Sequence, residues 1–408
     1  MRLFSLFMTM ALRNVIRNRR RSSFTVLAMS FGLCCLIIFQ GLKSGLHLEM
    51  INSTISVDTG SIQIHGADQQ GNTENFNPVD DPEQVGRILQ RIGINQFSYR
   101  IKGPALLLTG HRSSSVLLSG IVPSTEPSIT FIRDKLVAGT YLGQNNHLLI
   151  SERLATDLHL QLGDRLTIML QRLDGTPVNK TLVVGGLFHT ALASFDRRQV
   201  FLSLETFQHI IGAHNDFVTE IVCRTDLNQL QNQISLLQNT LPAETYTVKP
   251  WQEIAPDVVQ LIELNDATMT ILILIVFLIV AMGIANTITV ILYERFHELG
   301  IMSAIGTRPG EMMLILLSES FFLGLVGALL GTLLGTGASL YLARYGVDLT
   351  SMTSTNQYFA NSHILKSNLQ FNDVALANLL VLLTTMMASI YPAWKAAYSK
   401  PLQAITTL

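Results

Sequence analysis

The side chains best able to do chemistry in this chain are few and poorly spaced for it. His297 and Glu298 open like the H-E-x-x-H helix of a zinc hydrolase. In that motif two histidines four apart hold the metal and the glutamate acts as base, but residue 301 is Ile, so the second ligand is missing. No G-x-x-x-x-G-K-[ST] phosphate loop occurs, which removes ATP hydrolysis by that route. No G-x-S-x-G nucleophile elbow occurs either. The ten histidines are scattered. Cys34 and Cys35 are adjacent and Cys223 stands alone, so no disulfide framework is implied, and all three read as small apolar fillers. Neither a catalytic residue nor a metal site is expected.

The residues that remain of interest sit in apolar or interfacial surroundings. Glu319 is the one ionisable residue inside a long apolar run, where an unpaired acid costs a few kcal/mol. It is either a coupling or gating contact, or a structural anchor paired through Arg308 or Arg295. Asn286, Thr287 and Thr289 read as interhelical hydrogen bonders. Gly327, Gly331 and Gly335 recur every fourth residue and form one smooth stripe, suited to close helix packing within the chain or across a dimer. Between Glu294 and Glu311, Phe296, Leu299, Met302 and Ile305 are three apart and share one helical face. Gly306 and the Thr-Arg-Pro-Gly turn end that helix. It is either a short amphipathic helix pressed into a partner or an ordinary connecting helix on the bilayer surface.

The elements that carry these residues follow from composition. The chain has 408 residues, 48 % hydrophobic and only 14 % charged, against about 25 % charged in a typical soluble domain. Its mean hydropathy is +0.35. The net charge of -1 gives no sign of a nucleic-acid partner. About 20 apolar residues cross a bilayer as a helix, and four stretches qualify: 22–42, 267–293, 312–343 and 374–394. The first is too long for a cleaved signal peptide and reads as a signal anchor. Basic residues collect before the first span (Arg13, Arg17, Arg19, Arg20, Arg21), between the second and third (Arg295, Arg308) and after the fourth (Lys395, Lys400). By the positive-inside rule both termini and the 294–310 loop are cytoplasmic, while the segment after Lys43 and the 344–373 loop lie outside. Residues 4–21 are amphipathic and are expected to lie in the interface.

About 220 residues separate the first two spans, enough for a core of their own. β-like runs appear at 61–65, 98–108, 115–121, 148–150, 165–170, 181–188, 199–202 and 217–223. Helical patterns appear at 82–92, 152–160, 204–211, 227–241 and 251–264. Asp81 before Pro82 and Asp226 before Leu227 are expected N-caps. The polar stretches 66–77 and 174–179 read as loops or hairpin turns. The 251–264 helix runs almost directly into the second span and either continues it or ends before the bilayer. The expected fold is an integral membrane protein with four transmembrane α-helices plus a large extracytoplasmic mixed α/β domain. Its divisions are an N-terminal interfacial helix and first span over 1–46, the external domain over 47–264, and a three-span membrane domain over 265–408.

Together these pieces resemble the FtsX-like ABC transporter permeases, in particular the MacB-type and lipoprotein-releasing (LolC/LolE-type) branch. Glu294-Arg295 through Glu298-Leu299-Gly300-Ile301, then Ala304 and Gly306, are similar to the family's cytoplasmic E-R-x-x-E-I-G-[IV]-x-x-A-[LI]-G-A segment. Thr307 departs mildly from its last position. Glu319 is similar to the Glu of the following span. Tyr391-Pro392-Ala393 through Ala397, with Lys400-Pro401-Leu402, resembles the family's C-terminal ending. Ala11-Leu12-Arg13-Asn14 with Arg17–Arg21 resembles its N-terminal segment, and Ile150 to Ala155 with Leu162 to Leu166 resembles its external domain.

The resemblance implies a MacB-type periplasmic core domain and a type VII, mechanotransmission permease in the bacterial inner (cytoplasmic) membrane. Segment 294–310 would be the coupling helix seated on an ABC ATPase dimer. No cofactor is implied in this chain: ATP and Mg would be bound by that separate ATPase. The permease would pair with a second copy or a paralogue among membrane lipids. It would serve lipoprotein release, or efflux with a periplasmic adaptor and an outer-membrane channel; both stay open. A membrane-anchored regulator of cell-wall hydrolases and a sensor without an ATPase are the alternatives. External domains of the regulators are generally shorter, and a sensor has no use for a coupling segment.

Overall fold

With no charge over residues 22–42, the backbone can satisfy its polar groups in lipid only within its own turns. One helix, α1 (Arg19–Thr54), covers that stretch and continues beyond it. The computed structural model describes residues 19–67, 77–110, 112–143, 146–190, 192–294, 301–302, 305–348 and 364–398. The expected interfacial segment 4–21 therefore falls largely outside the described residues, as do most of the 66–77 loop and Lys400 to Leu402. Two compact units divide the chain. Residues 49–262 form the core of one; the described residues up to 48, at 263–348 and from 364 on form the other.

In the first unit α1 closes on a π-helical turn (Ile55–Thr59) and the chain enters β1 (Ile62–Gly66). Helix α2 (Pro82–Arg91) starts as expected: Asp81 accepts a hydrogen bond from Gln84 N, with Pro82 at the first position. There follow β2 (Gln96–Thr109), β3 (Arg112–Ile121), a 3-10 turn (Glu126–Ser128), β4 (Leu136–Gly139), β5 (His147–Ser151) and α3 (Glu152–Leu158). Next come β6 (Arg165–Gln171), β7 (Pro177–Phe188), α4 (Ala193–Asp196), β8 (Gln199–Ser203), α5 (Leu204–Ile211) and β9 (Glu220–Arg224). The unit ends with α6 (Leu230–Thr240), β10 (Tyr246–Pro250) and α7 (Trp251–Ile254).

Six strands close into a barrel. β2 pairs β3, β3 pairs β8, β8 pairs β5, β5 pairs β7, β7 pairs β6, and β6 returns to β2. Alternate residues point inward, so Ile101, Leu118, Ile150, Ile168, Val184 and Val200 meet in one apolar core. Helices α3 and α5 close it with Leu154, Leu158, Phe207 and Ile210. Ser151 and Ser203 cap these helices straight from the preceding strands. Gly120 is needed where α5 crosses, because a Cβ there would approach Phe207 Cβ to 2.8 Å. The length of β2 lets it serve two sheets. Its last residues pair with β6, while Gln96–Arg100 pair with β9, which continues through β1 to the edge strand β10. Helices α2 and α6 cover that extension with Val85, Leu89, Ile234 and Leu237.

Several expectations need correction. Helix α6 begins at Leu230, not at 227, because the Asp226 carboxylate accepts from Asn228 N in an Asx turn instead of capping a helix. The run expected from 217 pairs only from Glu220. The hairpin turn is confined to residues 172–176, with Pro177 already in β7. Strands β4 and β10 lie outside the expected runs, and neither contains a fully buried residue. The helix expected over 251–264 is broken at Ala255 (φ -121°, ψ 65°), since the residue before Pro256 is driven out of the helical region.

In the second unit α1 is joined by α8 (Pro256–Glu294), α9 (Pro309–Tyr345) and α10 (Phe371–Ala397), with a two-residue pairing of β11 (Val347–Asp348) and β12 (Ile364–Leu365) before α10. Among the described residues four helices are long and apolar enough to cross a membrane. Leu33, Leu36 and Ile37 of α1, Ala328 of α9 and Val381 of α10 form its core, with Ile273, Val276 and Phe277 of α8 packed against it.

Candidate functional site

The glycine stripe is a helix-packing surface within the chain. Ideal Cβ atoms at Gly327, Gly331 and Gly335 would come within 2.8, 2.9 and 3.0 Å of the Cβ atoms of Met29, Leu33 and Ile37. Those three residues of α1 are also four apart and fully buried. A ridge at four-residue spacing thus lies in a groove at four-residue spacing, the packing that small residues permit. Ser30 Oγ donates to the Gly327 carbonyl at 3.1 Å across the same contact. On the other side of α9, Gly324 faces Thr385, and Thr332 Oγ1 donates to Asn378 Oδ1 at 2.9 Å, both on α10. Glu319 is buried and engaged, within this packed helix. Thr289 departs from expectation: its hydroxyl donates to Ala285 O of its own helix at 2.7 Å, the back-bond open to any helical threonine.

Polar contacts that sequence reasoning missed tie α1 to its neighbours. Lys43 Nζ lies 2.6 Å from Asp266 Oδ1 of α8. Gln40 and Ser44 both donate to the carboxylate of Asp373, at 3.1 and 3.2 Å. Asn368 N donates to Gly41 O at 2.9 Å. The available signal was the placing of Lys43, Asp266 and Asp373 at span ends.

Of the expected coupling segment, Glu294 is the last residue of α8; Arg295, Glu298, Leu299, Gly300 and Ala304 lie outside the described residues. Ile301 and Met302 are helical, and Ile301 and Ile305 are 43 % and 81 % exposed. Gly306 adopts φ +99°, and Thr307 N donates to Met302 O at 3.1 Å. A glycine of positive φ with this six-to-one bond is a Schellman closure. Arg308 N then donates to Glu311 Oε2 at 3.1 Å as Pro309 opens α9. The segment therefore presents two aliphatic side chains one helical turn apart and ends sharply.

The external unit holds a second arrangement. Arg100 of β2 is buried and reaches Glu126 with both Nε (3.1 Å) and Nη2 (2.5 Å). Its Nη1 donates to the Asp58 carbonyl at 2.7 Å and lies 3.3 Å from the Asp58 carboxylate and 3.4 Å from Glu220. Lys102, two residues on and so on the same face of β2, lies 2.9 Å from Asp58 and 3.2 Å from Glu220. Burial alone pushes the pKa of both cations down. The carboxylates overcome it and hold both above their ordinary values, Glu126 foremost for Arg100 and Asp58 for Lys102. Nothing in the sequence grouped residues 58, 100, 102, 126 and 220; only the two-residue spacing of Arg100 and Lys102 was visible. Among the described residues no group of three or more His, Cys, Asp or Glu is placed to hold a metal ion.

Two families match the chain: "MacB-like periplasmic core domain" over residues 22–237 and "FtsX-like permease C-terminal" over residues 270–401. The chain is 24 % identical to the lipoprotein-releasing system transmembrane protein LolC of Xylella fastidiosa, covering 96 % of each. It is 22 % identical to the corresponding protein LolE of Haemophilus influenzae, covering 95 % of this chain and 94 % of that one. It is 23 % identical to the macrolide export ATP-binding/permease protein MacB of Chlorobium phaeobacteroides, covering 98 % of this chain and 61 % of that one.

Proposed function

We infer, for a chain that belongs to the MacB-like periplasmic core domain family and carries an FtsX-like permease C-terminal region, that it couples ATP hydrolysis on a separate subunit to movement of its external domain. It is an ABC transporter permease of the MacB, LolC and LolE type. The observation that carries the coupling reading is α8: one uninterrupted helix from Pro256, which follows the external sheet, to Glu294, where the coupling segment begins. A push received at residues 294–310 has a continuous hydrogen-bonded rod along which to travel.

In this reading the ATPase contact is made by Glu294, Arg295, Glu298, Leu299, Gly300, Ile301, Ala304 and Gly306. The ATPase pair binds ATP and Mg, and a second permease copy or paralogue completes the assembly. Both termini and the 294–310 loop face the cytoplasm of a bacterial cell, which the arginines before α1 and around the loop support. Lipoprotein release is favoured over efflux, because the relatives matched from end to end carry that name whereas MacB is spanned over 61 % of its length.

A mild-detergent pull-down from the native host, with mass spectrometry, tests the reading. A stoichiometric ATP-binding subunit is expected, lost in Glu298→Lys and Gly300→Leu. Recovery of a wall hydrolase or a kinase without any ATPase would replace the transporter with a regulator or a sensor.

A further inference from the structure

The π turn that ends α1 is clasped on every side by the external unit. A π turn leaves carbonyls out of the ordinary helical ladder, and such turns gather at working sites. Ser56 O accepts from Phe131 N at 3.0 Å, Asp58 O from Arg100 Nη1 at 2.7 Å, and Thr59 O from Gln63 Nε2 at 2.8 Å. Gly60 then turns the chain with φ 62°, where a Cβ would strike Val222 Cγ1. Three elements thus hold one turn: β2 through Arg100, β1 through Gln63, and the loop that carries Glu126 and Phe131. The start of α8 lies in the same cluster, where Val258, Val259 and Ile262 pack against a core containing Ile55 and Trp251.

A buried ion cluster is seldom the most stable filling for a core, since apolar side chains of similar volume often serve as well. What charges add is directional restraint: Arg100 holds the backbone and the side chain of Asp58 at once, which no aliphatic residue can do. We propose that Arg100 and Lys102, with Asp58, Glu126 and Glu220, form the joint that transmits displacement of α1 to the external sheet, Arg100 and Lys102 acting as positioning residues. The proposal rests on the coupling reading above.

The test uses the full chain with its co-purifying ATPase in lipid nanodiscs, spin-labelled at the exposed Leu236 and Tyr345, and reads the ATP-dependent change in their separation. Lys102→Met and Asp58→Asn are expected to lose that change while hydrolysing ATP at the parental rate. Lys102→Arg, which keeps the cation between Asp58 and Glu220, is expected to retain it. Should Lys102→Met fail to assemble, Gln63→Leu, which releases the Thr59 carbonyl and the His65 ring but leaves the ion cluster intact, is expected to lose the change too. A full change in Lys102→Met or in Gln63→Leu overturns the joint and leaves the coupling reading intact. No change in the parental complex overturns the coupling reading itself, and the joint with it.

Discussion

Gly331 of α9 lies against Leu33 of α1 so closely that a Cβ on residue 331 would sit 2.9 Å from the Leu33 Cβ and equally near the Ser30 carbonyl oxygen. Backbone, not a flexible side-chain end, stands in the way, so the two helices must separate to admit any larger residue. Gly331→Leu is expected to destabilise the chain by about 1–3 kcal/mol through overpacking. Thermal denaturation in detergent measures this, and Gly337→Leu, with nothing within 4 Å, is the control expected to be nearly silent.

Arg100 and Glu126 are buried partners, and removing Arg100 takes from the Glu126 carboxylate the cation it is paired with. Arg100→Met is expected to cost roughly 3–5 kcal/mol. Combined with Glu126→Gln the loss is expected to be smaller than the sum by about 0.5–3 kcal/mol, the coupling of two groups in one network. Denaturant titration of the parent, both single variants and the double variant supplies the cycle.

His65 of β1 gives the external unit a pH dependence. Burial holds its imidazole below the ordinary value of 6.5; Glu220 opposes that shift, while Lys249 and Lys102 add to it. Above pH 6.5 neither folded nor unfolded chain carries this proton, and His65 contributes nothing. As the pH falls below that value the unfolded chain binds a proton that the folded chain refuses, so stability falls until the folded pKa is passed. Melting temperatures measured downward from neutral pH are expected to decline less steeply in His65→Gln than in the parent.

Gly306 holds φ +99° with open space around its Cα, so its requirement is conformational and not steric packing. Gly306→Val is expected to cost about 1–2 kcal/mol locally, because a side chain disfavours positive φ. The Schellman closure would loosen while the spans stay folded. The expected result is unchanged melting with reduced recovery of the ATPase in the pull-down.

Features set by composition and short-range spacing were legible in the sequence. The four long helices follow from runs of uncharged residues, because lipid leaves the backbone no other way to satisfy its polar groups. The cap at Asp81 and the stop at Gly306 follow from local chemistry, and most strands of the external unit from alternation. The glycine spacing announced close packing but not its partner, since a smooth stripe fits a helix of its own chain as well as one of a second copy. Tertiary structure assigned it to Met29, Leu33 and Ile37. Position at a span end marked Asp266 and Asp373 but not their partners, and the closed barrel and the cluster joining residues 58, 100, 102, 126 and 220 had no local signal beyond the two-residue spacing of Arg100 and Lys102. Each brings together residues separated by tens to hundreds of positions, and the free energy that selects such contacts comes from burial and charge compensation in the folded chain, which periodicity along a strand or helix does not encode.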